Sequence, residues 1–275
     1  MTAGKVAWKA EAGVFLAVAF LAAGALGAAQ PATGIPTVVI QLTQFGPALG
    51  VAAVALLWPS RIRRRLSGAL PARRAVDPAG STARRHARGA GLLLSAVPII
   101  ALGAGAYAWV EGVLRVTDPG TLGSPFALIV AAQLVGACGE EIGWRCLLQP
   151  LLRTRFGPFT SSVAVGLLWG AWHVQVFGQD PAYAAGFLLA TVAMSVVLGL
   201  GLERAGANRL LLAGGFHTLV NLGMLLFMDD GSGSAPAADA DLSMVLFGLA
   251  ALVTAVPWVI RELTADILPI ADGAR

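Results

Sequence analysis

Two adjacent carboxylates and a guanidinium stand in one apolar run, GACGEEIGWRCLLQPLL over residues 136–152, in a chain where 12% of residues are charged. Ionisable side chains inside spanning helices are costly, and they face a bundle interior or a water-filled cavity. Three more polar groups lie in other apolar runs: His173 in WGAWH, and His217 with Asn221 in FHTLVN. At about 100° per residue, Glu141 and Arg145 share a helix face and suit an ion pair, while Glu140 points elsewhere and has no sequence-local partner. His217 and Asn221, four apart, also share a face. Trp169 lies one turn before His173, where its ring can orient the imidazole or wall a pocket. Taken singly, each histidine reads as an interhelical hydrogen-bond partner. Gln41, Gln44 and Gln133 read as bridges between helices. Taken together, a carboxylate with an imidazole can act as general base on water, and two further donors can hold an oxyanion.

Such groups need a scaffold that carries them inside a membrane. The 275 residues are 57% hydrophobic, with mean hydropathy +0.75. A soluble domain usually carries about 25% charged residues. Apolar runs near the length of a bilayer crossing fall at 12–29, 38–58, 90–110, 125–152, 160–179, 182–202, 208–228 and 241–260. In lipid the backbone must satisfy itself, so spans of this length are helices. The expected fold is an all-α polytopic membrane protein, with about eight transmembrane helices bundled around an intramembrane polar cavity. It reads as one membrane domain, 1–275. N-terminal helices over 1–110 carry a basic loop at 59–89, a core spans about 125–228, and a C-terminal helix covers 241–260. The first span, preceded by Lys5 and Lys9 and followed by ALGAAQPA, resembles a signal peptide. Its long apolar core and Glu11 favour a retained helix.

Basic residues set the orientation. Residues 61–89 hold nine of the nineteen lysines and arginines. Placing that loop in the cytoplasm puts both termini there, together with Arg153, Arg155, Arg204, Arg209 and Arg261. Glu111, Asp118, Asp180, Asp229, Asp230, Asp239 and Asp241 then face the other side, with Arg115 as the one basic residue among them. The basic face reads as a match for anionic lipid, with no nucleic-acid partner. Residues 229–241, DDGSGSAPAADAD, read as a flexible outer loop. Cys138 and Cys146 lie eight residues apart on one expected helix, roughly 12 Å, too far for a disulfide.

The ordered segments EEIGWR, WGAWH and HTLVN resemble the E-E-x-x-x-R, F-x-x-x-H and H-x-x-x-N pattern of the CPBP intramembrane proteases. This is the CAAX protease and bacteriocin-processing (Abi) family, which includes type II CAAX prenyl endopeptidases. QFGPALG at 44–50 is similar to the family's second span, and Trp169 replaces the usual Phe. The resemblance implies that Glu140 and His173 activate water and that His217 and Asn221 form the oxyanion hole. Glu141 and Arg145 would support the first of these helices. The family is commonly classed with metalloproteases, and Glu140, His173 and His217 would supply a His₂Glu zinc set with water in the open position. Asn221 suits an oxyanion better than a metal. Zinc-assisted and metal-free water activation use the same residues, and both stay open here. The Ala-, Gly- and Arg-rich composition points to a bacterial plasma membrane, where a membrane-associated peptide or protein is the expected substrate. A non-catalytic scaffold or immunity protein is the alternative. A small proton- or ion-coupled transporter is the weaker one, since no paired repeats are seen.

Overall fold

A computed structural model describes residues 3–70, 79–205, 208–228 and 237–267. All regular structure among them is helical: α1 (Ala3–Thr33), α2 (Gly46–Leu57), α3 (Pro59–Arg65), α4 (Ala79–Leu94), α5 (Ala96–Glu111), α6 (Phe126–Gly143), α7 (Gln149–Leu152), α8 (Pro158–Trp172), α9 (Pro181–Ala205), α10 (Arg209–Phe227) and α11 (Ala237–Ile267). The protein is an all-α membrane protein. Among the described residues, six helical stretches are long and apolar enough to cross a bilayer: Trp8–Thr33, His86–Glu111, Phe126–Leu152, Pro181–Glu203, Arg209–Phe227 and Ala240–Thr264. The expected spans at 38–58 and 160–179 are instead shorter. Leu42–Leu57 is a short apolar helix, and α8 stops at Trp172 after 15 residues. The expected outer loop at 229–241 lies largely outside the described residues, as do residues 71–78 of the basic loop.

Proline punctuates the helices as its chemistry dictates. With no N–H to leave unsatisfied, it sits in the first turn of α2, α3, α7 and α8. At α7 it does more. Helix α6 runs on through a π-turn at Trp144–Leu148 before reaching Pro150, which cannot donate to the carbonyl four residues back. The widened turn begins beside the paired glutamates and contains Arg145. Packed against this turn, α8 breaks at His173, whose backbone leaves the helix at φ −78° and ψ 62°. The chain passes through a short 3₁₀ segment, and the Asp180 carboxylate accepts the Ala182 N–H (2.8 Å) at the start of α9.

Close packing holds α6 in place. At Gly143 an added Cβ would lie 2.6 Å from Pro47 and 2.7 Å from the Phe15 ring, and at Gly139 it would lie 3.0 Å from the Gln44 carbonyl. Small residues let backbones approach in this way within membranes. Helix α1 packs into the same region: Phe15 meets Trp144 edge-on at 5.4 Å, and Trp172 donates its indole N–H to the Ala19 carbonyl at 3.2 Å. Replacing Gly143 by Ala should therefore destabilise the fold by about 1–3 kcal/mol through overpacking. A lowered thermal unfolding midpoint in detergent checks this; an unchanged midpoint would contradict the packing described.

Candidate active site

Glu140 and Glu141 leave α6 in different directions and find different partners. Glu140 is 2% exposed, and its Oε2 accepts the indole N–H of Trp169 from α8 at 2.8 Å. Oε1 makes no hydrogen bond among the described residues. Glu141 is fully buried. Its Oε2 lies 3.4 Å from Arg145 Nε, one turn along, and its Oε1 lies 3.0 Å from His217 Nδ1 on α10. The ion pair expected from the spacing is present, and the same carboxylate also holds a histidine from another helix.

The histidines are fixed by what holds their Nδ1 atoms. His173, at the broken end of α8, places Nδ1 at 2.9 Å from the Trp169 carbonyl. A carbonyl only accepts, so Nδ1 carries the proton and Nε2 keeps a lone pair for a substrate or water. The Glu141 carboxylate likewise accepts Nδ1–H of His217 and leaves Nε2 turned away from the pair. Around His173 stand Trp172 and Phe187, each with ring centroids 4.8 Å away.

Trp169 is the hub. Its ring lies 6.0 Å from His173 and 5.2 Å from His217, both edge-on, and the Arg145 guanidinium sits over its face at 4.6 Å. All three Arg145 nitrogens lack a hydrogen-bond partner, so charge and the ring's π face compensate the buried cation. Sequence spacing suggested a ring beside His173. That its N–H reaches Glu140 was not visible there, because the contact joins α6 and α8.

Asn221, one turn beyond His217 on α10, meets a different part of α6. Its Nδ2 donates to Gln133 Oε1 at 3.1 Å, and Gln133 Nε2 faces the Val38 and Val39 carbonyls at 3.3 and 3.4 Å. The bridging expected of Gln133 is present, and Asn221 is its partner. A sequence signal existed: Gln133 precedes Glu140 by seven residues, two turns along the same face of α6. Glu11 is a buried charge that the list of spanning ionisable groups passed over. It pairs with Arg61 and Arg65 at 3.1 and 3.4 Å, both from α3.

Two cavities, about 420 and 340 Å³, lie at the arginine-rich end of the bundle, and none of the four candidate residues lines either one. The polar groups gather around an indole, not around either of these recesses. No group of three His, Cys, Asp or Glu side chains among the described residues is placed to hold a metal ion. Cys138 and Cys146 are both free thiols.

Chemically, the cluster has a carboxylate oxygen, an imidazole nitrogen with its lone pair, a second anchored imidazole and an amide. Comparison with known proteins bears on this. The matched stretch of CAAX prenyl protease 2 from Methanococcus maripaludis is 27% identical over 108 residues, 35% of this chain and 40% of that protein. Lysostaphin resistance protein A from Staphylococcus aureus is 25% identical over 142 residues, 50% of this chain and 33% of that protein. The matches thus span well under half the length of these relatives. From residue 122 to 223, the stretch holding Glu140, Glu141, Arg145, Trp169, His173, His217 and Asn221, the chain matches the family described as type II CAAX prenyl endopeptidase Rce1-like, and the resemblance read from its motifs holds.

Proposed function

We propose that this protein is an intramembrane endopeptidase that hydrolyses a peptide bond in a membrane-associated protein or peptide. The observation that carries the reading is the meeting of Glu140, His173 and His217 around Trp169, inside a segment similar to an endopeptidase family. In the proposed mechanism Glu140 Oε1 and His173 Nε2 take a proton from water as it attacks the carbonyl carbon. The proton then passes to the leaving amine. Asn221 donates an amide N–H to the oxyanion, and His217, whose Nδ1–H is held by Glu141, donates from Nε2 in its imidazolium form. Glu141 holds His217, and Arg145 balances the paired carboxylates. Comparing peptide termini in membranes from cells producing the wild type and Glu140→Gln tests this. New termini present only with the wild type support the proposal, and identical profiles overturn it.

The similarity to lysostaphin resistance protein A, whose name states resistance and no catalysis, keeps one second reading, a non-catalytic scaffold or immunity protein of the same fold. A biological effect that survives Glu140→Gln in full would establish that reading instead. We further propose insertion in a bacterial plasma membrane with both termini cytoplasmic, on the basis of the arginine distribution.

Water activation is proposed to be metal-independent, because the Asn221 amide, one turn from His217, suits hydrogen bonding to an oxyanion and is a poor metal ligand. The purified protein should hold far less than one metal ion per chain and keep its activity in chelator. Stoichiometric zinc with chelator-sensitive cleavage would instead support the Glu140, His173 and His217 set as ligands.

Gln133 orients Asn221 in this scheme. Gln133→Met keeps the side chain's bulk while removing the bond to Asn221 and those to the Val38 and Val39 carbonyls. It should lower kcat by roughly 10²-fold, the scale of one oxyanion donor, with KM nearly unchanged. In an Asn221→Ala background the same change should have no further effect. Full additivity would remove Gln133 from this role.

A further inference from the structure

The arginine-rich end of the bundle holds a recess of about 420 Å³ that the proposed chemistry does not use. Arg64, Arg65, Ser67 and Arg209 line it, together with Pro150, the buried Leu202 and Glu203. Local sequence builds this shape. Helix α3 ends in three consecutive arginines, and the chain then turns through Gly68, whose φ of 87° suits glycine. The Gly68 and Ala69 carbonyls accept the N–H groups of Arg209 and Leu210 at 3.2 and 3.0 Å. Backbone hydrogen bonds thus tie the end of α3 to the start of α10 and set the arginines around one space.

The charge balance of the recess is positive. Glu11 takes up Arg61 and Arg65, and Arg153 holds Glu203 at 2.6 Å. Arg64 and Arg209 have no acidic partner among the described residues. Two guanidinium groups therefore face a space whose nearby carboxylates are already paired, while the Ser67 hydroxyl donates to the Arg64 carbonyl at 2.7 Å. A guanidinium fork matches phosphate oxygens. The depth fits as well: Trp58 directly precedes α3 and Trp8 packs against Phe156 at 6.2 Å, as aromatic side chains do at a membrane surface. With Glu11 and Glu203 engaged, no lining carboxylate among the described residues is left to meet the ammonium of a zwitterionic lipid.

We propose that this recess binds the phosphate of an anionic phospholipid headgroup. The bound lipid joins α3 to the first turn of α10, the helix that carries His217 and Asn221. The test uses the full chain in neutral detergent micelles doped with phosphatidylglycerol or phosphatidylcholine, read by native mass spectrometry and thermal unfolding. Phosphatidylglycerol should stay bound and raise the unfolding midpoint, and phosphatidylcholine should do neither. Arg64→Gln with Arg209→Gln should weaken phosphatidylglycerol binding roughly tenfold or more, at about 1 kcal/mol per arginine. Arg63→Gln with Lys9→Gln removes the same charge outside the recess and should leave binding unchanged. An equal loss in that control, or equal binding of phosphatidylcholine, overturns the proposal. So does complete displacement of the lipid by millimolar inorganic phosphate, which would make free phosphate the occupant. Arg64→Gln alone, at an exposed position, keeps the test decisive should the double variant fail to fold. None of these readouts depends on proteolysis.

Discussion

Replacing Glu140 by Gln should lower turnover by roughly 10²- to 10⁴-fold, the range typical of a lost general base. The fold should survive, because the amide oxygen of Gln can still accept the Trp169 N–H that now reaches Glu140 at 2.8 Å. Size, shape and that contact are kept; proton acceptance is lost. His173→Ala should cost a similar factor, since it removes the nitrogen that shares the proton. The informative quantity is the double variant. Groups that act as one unit are strongly non-additive, so Glu140→Gln with His173→Ala should be scarcely slower than either alone. Single-turnover cleavage by the four proteins, with unfolding midpoints measured alongside, checks this. Multiplying losses would mean that the two side chains act independently.

Much of this arrangement was legible before any coordinates. Charge is rare in the chain, so Glu140, Glu141 and Arg145 in one apolar run already marked a site, and a four-residue spacing sufficed to pair Glu141 with Arg145. The rest depends on contacts between helices. Nothing along α6 indicates that the second oxygen of Glu141 reaches His217, 76 residues away, or that Glu140 is held by an indole 29 residues away. Helix lengths were also partly hidden. The run at 160–179 is apolar enough to look like a full crossing, yet α8 gives way to a 3₁₀ segment at His173. Such a break is tolerated in a membrane where protein surrounds the freed backbone, and apolarity alone does not register it. The cavity expected around the polar groups is neither of the two recesses found. Trp169, in place of the smaller ring expected from the family pattern, stands among Glu140, Arg145 and the two histidines.

The second large effect concerns stability. Arg145 is 1% exposed and Glu141 is fully buried, so removing either leaves a buried charge without its ion-pair partner. Each of Glu141→Ala and Arg145→Ala should destabilise the protein by about 3–5 kcal/mol, the scale for breaking a buried pair. Replacing both should cost clearly less than the sum, because no orphaned charge remains. Unfolding midpoints and the yield of folded protein after detergent extraction measure this. Strict additivity would contradict the pair. Arg145→Lys should not rescue the fold fully, since an ammonium cannot lie flat over Trp169 as the guanidinium does at 4.6 Å. Glu141→Ala should also lower activity in the folded fraction by releasing His217, an effect that the spacing of Glu141 and Arg145 did not foretell.

Hydrolysis by water activated within this cluster is tested most directly by oxygen-18 incorporation. Purified protein in H₂¹⁸O, given a membrane peptide that the wild type cleaves, should place one heavy oxygen in each newly formed C-terminal carboxylate during a single turnover. Glu140→Gln, folded and at equal concentration, should form no product on that timescale. Product without the label, or cleavage by Glu140→Gln at the wild-type rate, would contradict the account.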